Sequence, residues 1–199
     1  MSSESQAKRV ACVRRATKET TISVELLLDG TGQVDVVTGL PFLDHMLTAL
    51  FLHSRMDVTL RADGDVHVDD HHTVEDCALA LGAALDTALG QRAGITRFAH
   101  AYAPLDEALC RCVIDLSGRP CAVIELPFRR EMLGSVATEN LVHFLQSLAM
   151  RARMALHVDL LRGDNNHHKA EAAFKAVALA LRAAVTLDGS AVPSTKGVL

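Results

Sequence analysis

Apolar residues recur at three- and four-residue spacing in two separate stretches of the chain, and the stretches match position by position. Ala78, Leu81, Leu85 and Leu89 correspond to Phe174, Val177, Leu181 and Val185, each set predicting an amphipathic helix. The match extends upstream. "LDHML" (43–47) aligns with "LVHFL" (141–145), and "SRM" (54–56) aligns with "ARM" (152–154). After a two-residue length difference, "DDHHTVE" (69–75) aligns with "NNHHKAE" (165–171). Self-similarity on this scale is the mark of internal duplication.

Ahead of each helix lie β-branched, partly alternating runs broken by glycine turns: "TTISVELLLDGTG", "RMDVTLRADGD", "RCVIDLSGRPCAVIELP" and "ARMALHVDLLRGD". Each half therefore reads strand, strand, helix, strand, helix, an α+β class built by duplicating a β-β-α-β-α half-domain. The junction falls near Gly90–Ala103, which gives a first repeat over 1–95 and a second over 96–190, in one compact unit. The tail 191–199, "AVPSTKGVL" from Ala191, is too short for an element and reads as an ordered or ligand-gated terminus near the active site.

Composition narrows the function. A chain of 199 residues, 49% hydrophobic and 22% charged, can bury a substantial core and lies outside the disordered regime. A net charge of −4 with no long Lys/Arg run argues against non-specific nucleic-acid binding, while leaving room for a small anionic substrate. The five cysteines form no CxxC pair, so free thiols in a reducing cytosol are expected rather than a thiolate zinc site. No signal-peptide core and no run of membrane-spanning length is present, which predicts a soluble cytoplasmic protein.

Six of the ten histidines occupy matched positions: His45 with His143, His71 with His167, and His72 with His168. Glu75 and Glu171 match as well. On a helix, His71 and Glu75 lie one turn apart on one face and can grip one ion, as can His167 and Glu171. His72 and His168 are rotated away from that face and should serve a different ion. This predicts a reciprocal scheme, with one metal taking His71, Glu75 and His168 and the other taking His167, Glu171 and His72. His45 and His143 would add one further ligand to each. All donors are imidazole or carboxylate, which favours Mn²⁺, Fe²⁺ or Zn²⁺. Asp69, Asp70, Asn165 and Asn166 are expected to cap the two helices. The remaining histidines, His53, His67, His100 and His157, read as structural or exposed.

The segments "FLDHML", "DDHHTVEDCALALG", "DLSGRP", "GDNNHHKAEAAFKA" and "PSTKG" resemble the imidazoleglycerol-phosphate dehydratase family, from about Arg14 to Gly197. The resemblance implies a duplicated fold of the ribosomal-protein-S5-domain-2-like kind, two Mn²⁺ per active site, and sites shared between neighbouring subunits of a 24-subunit homo-oligomer. It also implies a reaction: loss of water from D-erythro-imidazole glycerol phosphate to give imidazole acetol phosphate, in histidine biosynthesis, with the metals stabilising the ring as imidazolate. By the same resemblance Glu19 is the proton-transfer group and a substrate contact, with the ligand carboxylates Glu75 and Glu171 beside it and Asp106 in support. Arg97, Arg119, Lys175, Ser194 and Lys196 are matched to phosphate contacts and His53 to a substrate contact, while Gly118 and Gly197 let the backbone approach the ligand.

Three departures from the family pattern stand out. Ala49 replaces a common glutamine, His53-Ser54 stands where His-Gly is usual, and Leu40-Pro41 replaces Val-Gly in what reads as a loop. A dimetal phosphoester hydrolase and a metal store are the competing readings. The first lacks a free general base in so symmetric a ligand set, and the second has no use for the cations.

Overall fold

Period-two burial defines the strands of the computed structural model, which describes residues 8–194. In β2 (Thr20–Leu27), Thr20, Ile22, Val24 and Leu26 are buried while Thr21, Ser23 and Glu25 face outward. β1 (Val10–Ala16), β2, β3 (Val34–Val37) and β4 (Asp57–Gly64) form one sheet in the order β1-β2-β4-β3. The pairs β1/β2 and β2/β4 are antiparallel and β3/β4 is parallel. The second half repeats this plan with β5 (Phe98–Leu105), β6 (Ala108–Asp115), β7 (Cys121–Glu125) and β10 (Ala155–Arg162), ordered β5-β6-β10-β7. A short hairpin, β8 (Met132–Leu133) with β9 (Val136–Ala137), is inserted ahead of the third helix.

The helices are α1 (Pro41–Ser54), α2 (His71–Leu89), α3 (Thr138–Arg151) and α4 (Asn166–Ala184). Each half thus keeps the β-β-α-β-α order read from the sequence, with one further short strand, β3 or β7, feeding the first helix. That strand pairs in parallel with the strand after the helix, so the helix is its crossover connection.

Each sheet is covered on one face by the helices of its own half, and those helices pack on the other half's. α2 lies on β1 and β2 and α4 on β5 and β6, while α1 contacts α4 and α2 contacts α3. A helix buried on two sides must be apolar nearly all round. α2 and α4 meet this with alanine, including Ala80, Ala83, Ala84 and Ala88 in α2 and Ala172, Ala173, Ala176 and Ala180 in α4.

Two local expectations change. Leu40-Pro41 is a helix start, not a loop: Leu40 is the buried N-cap residue and Pro41 occupies the first helical position, where no N–H is needed. The capping pairs divide their work. Asp69 and Asn165 accept from the backbone N–H of His71 and His167, at 2.8 and 2.9 Å. Asp70 and Asn166, both buried, instead accept from Ala137 N (2.8 Å) and Arg129 N (3.0 Å), pinning the helix starts to the segment between β7 and α3, the first at β9.

Candidate active site

Packing α2 against α3 and α1 against α4 brings together residues from opposite halves. His71 and Glu75 of α2 meet His143 of α3, and His167 and Glu171 of α4 meet His45 of α1. In each triad one ligand atom per residue lies within 4.8 Å of the others. Glu75 Oε1 is 3.4 Å from His143 Nε2 and Oε2 is 3.6 Å from His71 Nε2. Glu171 Oε2 lies 3.1 Å from His45 Nε2 and 3.3 Å from His167 Nε2. Two imidazole nitrogens turned toward one carboxylate suit a divalent cation of the Mn²⁺, Fe²⁺ or Zn²⁺ type, and no cysteine joins either set.

His72 and His168 join neither triad of their own chain, so one chain gathers three donors per cluster and the reciprocal scheme is not met within it. Their rings are held by carboxylates absent from the sequence-based candidates. His72 Nδ1 faces Asp65 at 3.1 Å, just beyond β4, and His168 Nδ1 faces Glu107 at 2.7 Å, in the β5–β6 turn. A carboxylate on Nδ1–H fixes the tautomer and leaves Nε2 as the free donor, the arrangement of metal-binding histidines. The hydrogen bond to His168, then those from Asn165 and Asp164, hold Glu107 down at about 2. Both imidazoles are raised, His168 chiefly by its bond to Glu107 and His72 chiefly by its bond to Asp65, with a smaller contribution from Glu19.

Glu19 sits exposed in the β1–β2 turn, and its carbonyl accepts from Asp65 N at 3.2 Å. Asp106 occupies a left-handed position (φ 46°) in the β5–β6 turn, 3.8 Å from His168 Nε2. Lys175 bonds to Glu171 at 2.5 Å. Burial works against the Glu171 carboxylate, but the bond and charge of Lys175, joined by His45, pull it below its ordinary value. Arg119 is exposed beside Gly118 (φ 75°), its side chain reaching Ser117 O at 3.5 Å. Arg97 is already engaged: buried, paired with Asp115 at 2.7 Å, and donating to Pro193 O at 2.6 Å. It anchors the start of the tail. Ser194 closes the described chain, its N–H donating to Val192 O at 2.8 Å, while Lys196 and Gly197 lie outside the described residues. His53 is in the last turn of α1, about 12 Å along the axis from His45. Ala49 is buried on the same helix and Ser54 bonds back to Phe51 O.

Sheet order, helix pairing and the twin His/Glu clusters define a duplicated α+β protein with two imidazole–carboxylate clusters that could each hold a metal ion. Comparison with known proteins agrees. Residues 38–181 match the family described as imidazoleglycerol-phosphate dehydratase. A relative of that name from Zymomonas mobilis is 54% identical over 96% of this chain and 100% of its own length. One from Phytophthora nicotianae is 57% identical over 96% of this chain, which spans 42% of that longer protein. The crystal structure of imidazoleglycerol-phosphate dehydratase from Staphylococcus aureus superposes with a TM-score of 0.80 at 34% identity, covering 89% of this chain and 99% of that one. The chain belongs to the imidazoleglycerol-phosphate dehydratase family, enzymes that carry out a dehydration in histidine biosynthesis.

Proposed function

We propose that this chain converts D-erythro-imidazole glycerol phosphate to imidazole acetol phosphate, using two Mn²⁺ per active site held by the His/Glu clusters. The observation that carries this reading is the convergence of the two triads in a chain of this family. His71, Glu75 and His143 would hold one ion and His45, His167 and Glu171 the other. His72 and His168, turned away from both triads, would complete the coordination on neighbouring copies in a homo-oligomer, 24 subunits by the family resemblance. Exposed Phe98, Tyr102, Val113 and Val123 on the outer face of the second sheet offer apolar surface for such copies.

When bound, the ions supply Lewis-acid character that lets the substrate ring take up negative charge. The protein's own groups do the rest. The hydroxyl on the carbon beside the ring departs as water, and Glu19 moves the proton from the next carbon out, which keeps its own hydroxyl. The resulting enol becomes the ketone by proton return. Arg119, Lys175, Ser194 and Lys196 receive the phosphate, with Arg97 holding the tail that carries the last two. Asp106 supports the second histidine of α4.

The test compares metal-stripped and Mn²⁺-loaded protein incubated with imidazole glycerol phosphate. Ketone product should form only with metal, at two bound ions per chain. No turnover with Mn²⁺ present would refute the proposal, as would full turnover after stripping.

A further inference from the structure

The Glu19 turn is fastened to α2 by a residue that the duplication does not require. Thr17 Oγ1 accepts from Glu19 N (3.1 Å) and Thr20 N (3.0 Å), and Thr17 N donates to Thr20 O at 2.9 Å. The turn is therefore closed internally, with Glu19 at its exposed tip. Below it, the Thr20 hydroxyl donates to Asp76 Oδ2, and Arg15 donates through Nε to Asp76 Oδ1 at 2.7 Å. Asp76 follows the cluster residue Glu75 directly, and the ~100° step between them on a helix sends Glu75 outward and Asp76 toward the sheet. Asp76 is 6% exposed.

The matched position in α4 is Ala172, fully buried in an equivalent place between helix and sheet. Packing at this site therefore needs no carboxylate. An ion pair whose arginine side chain is 38% exposed is also a poor source of stability, because water screens the attraction. What Asp76 adds is register: it ties the strand end that carries Glu19 to the same helical turn that carries Glu75.

We infer that Asp76 is a positioning residue that holds the Glu19 turn against the first turns of α2, on the His72 side of the helix, an inference that rests on Glu19 acting in the reaction proposed above. Asp76→Ala, which installs the residue of the second half, should lower kcat about 10–100-fold, the scale of a small misplacement of a reacting group. KM and bound Mn²⁺ should stay close to the parent values. Asp76→Asn, which still accepts from Thr20, should recover part of the loss, and Thr20→Val should reproduce part of it without disturbing the ion pair. In a Glu19→Gln background Asp76→Ala should cost nothing further, since both act through one group.

Hydrogen exchange supplies the readout independent of activity. The Glu19 and Thr20 amides should lose protection in Asp76→Ala and Thr20→Val while those of α2 keep theirs. Unchanged exchange in the turn would overturn the inference, and so would additive losses in the double variant or loss of metal from Asp76→Ala. Full activity of Glu19→Gln would instead remove the proposed role of Glu19. The clamp would then be decided by the exchange measurement alone.

Discussion

The two His/Glu triads share a backbone plan and differ in what surrounds them. Around His71, Glu75 and His143 the neighbours are polar. Asn140 Oδ1 accepts from His71 Nδ1 at 3.1 Å, and the Ser147 hydroxyl lies 3.5 Å from His143 Nε2. At the matched positions the other triad has Phe42 and Ala49, and the Phe42 ring meets the His167 ring edge-on at 5.3 Å. The glutamates differ as well. Glu171 is paired with Lys175 and is 14% exposed on its side chain, whereas Glu75 is 36% exposed and has Leu79 at the matched place. Duplication set the donors, and later divergence gave one triad a hydrogen-bonded frame and the other an apolar wall with a cation. A site with two unequal clusters can hold an unsymmetrical substrate in one direction.

The largest expected effects test whether the triads are equal in necessity. If each triad holds an ion as proposed, His71→Ala and His167→Ala should each cut kcat/KM about a thousandfold or more, because several kcal/mol of transition-state stabilisation would depend on each ion. Each variant should bind one ion fewer per chain by elemental analysis. A variant that kept both ions and full activity would show that its triad is not a site.

Lys175→Met separates two roles at the second triad. If the ammonium mainly tunes Glu171, kcat should fall about 10–100-fold with weakened metal binding, the usual cost of losing a partner to a ligand. A rise in KM with kcat unchanged would place it on the phosphate instead. Asn140→Ala asks the matching question of the first triad. Freed of its Nδ1 partner, His71 should bind metal about tenfold more weakly, at the lower end of that same range. Equal weakening of both metals would mean that the two environments are not independent.

How far the sequence exposed this comparison depends on the range of the interaction. His71 with Glu75 and His167 with Glu171 are one helical turn apart, so their alliance is written in local spacing. The repeat then implied that the halves carry equivalent ligands. Of the partners that make the triads unequal, Lys175 and Ser147 lie one turn from Glu171 and His143, but Asn140 and Phe42 reach their histidines from another helix. Asn140 reaches His71 only after the halves have packed, and Glu107 reaches His168, as Asp76 reaches Arg15 and Thr20, only after helix has packed on sheet within a half. No periodicity records such pairs. Arg97 shows the same limit from the other side: strand register sets Phe98 opposite Asp115, which draws the guanidinium into a buried pair rather than leaving it free. The strands β3 and β7 went unseparated because each is short and merges into glycine-containing turns.

The smallest expected effect concerns the helix contacts that support the triads. Gly82 in α2 matches Ala178 in α4, yet the two are not interchangeable. A Cβ at position 82 would lie 2.8 Å from Arg151 Cβ and 3.0 Å from both Ala152 N and Leu148 O, all belonging to the end of α3 or the residue that follows it. Backbone atoms cannot swing aside as a flexible side-chain tip can, so Gly82→Ala must push α2 and α3 apart. The expected cost is about 1–3 kcal/mol of overpacking, partly offset by the higher helix propensity of alanine. Position 82 lies about 10 Å along the axis from Glu75, so the strain falls on the far end of the helix pair. Thermal unfolding should register the change while kcat and metal content stay near the parent values. Loss of metal from the His71–Glu75–His143 cluster alone would instead show that the first triad depends on the full length of the α2–α3 contact.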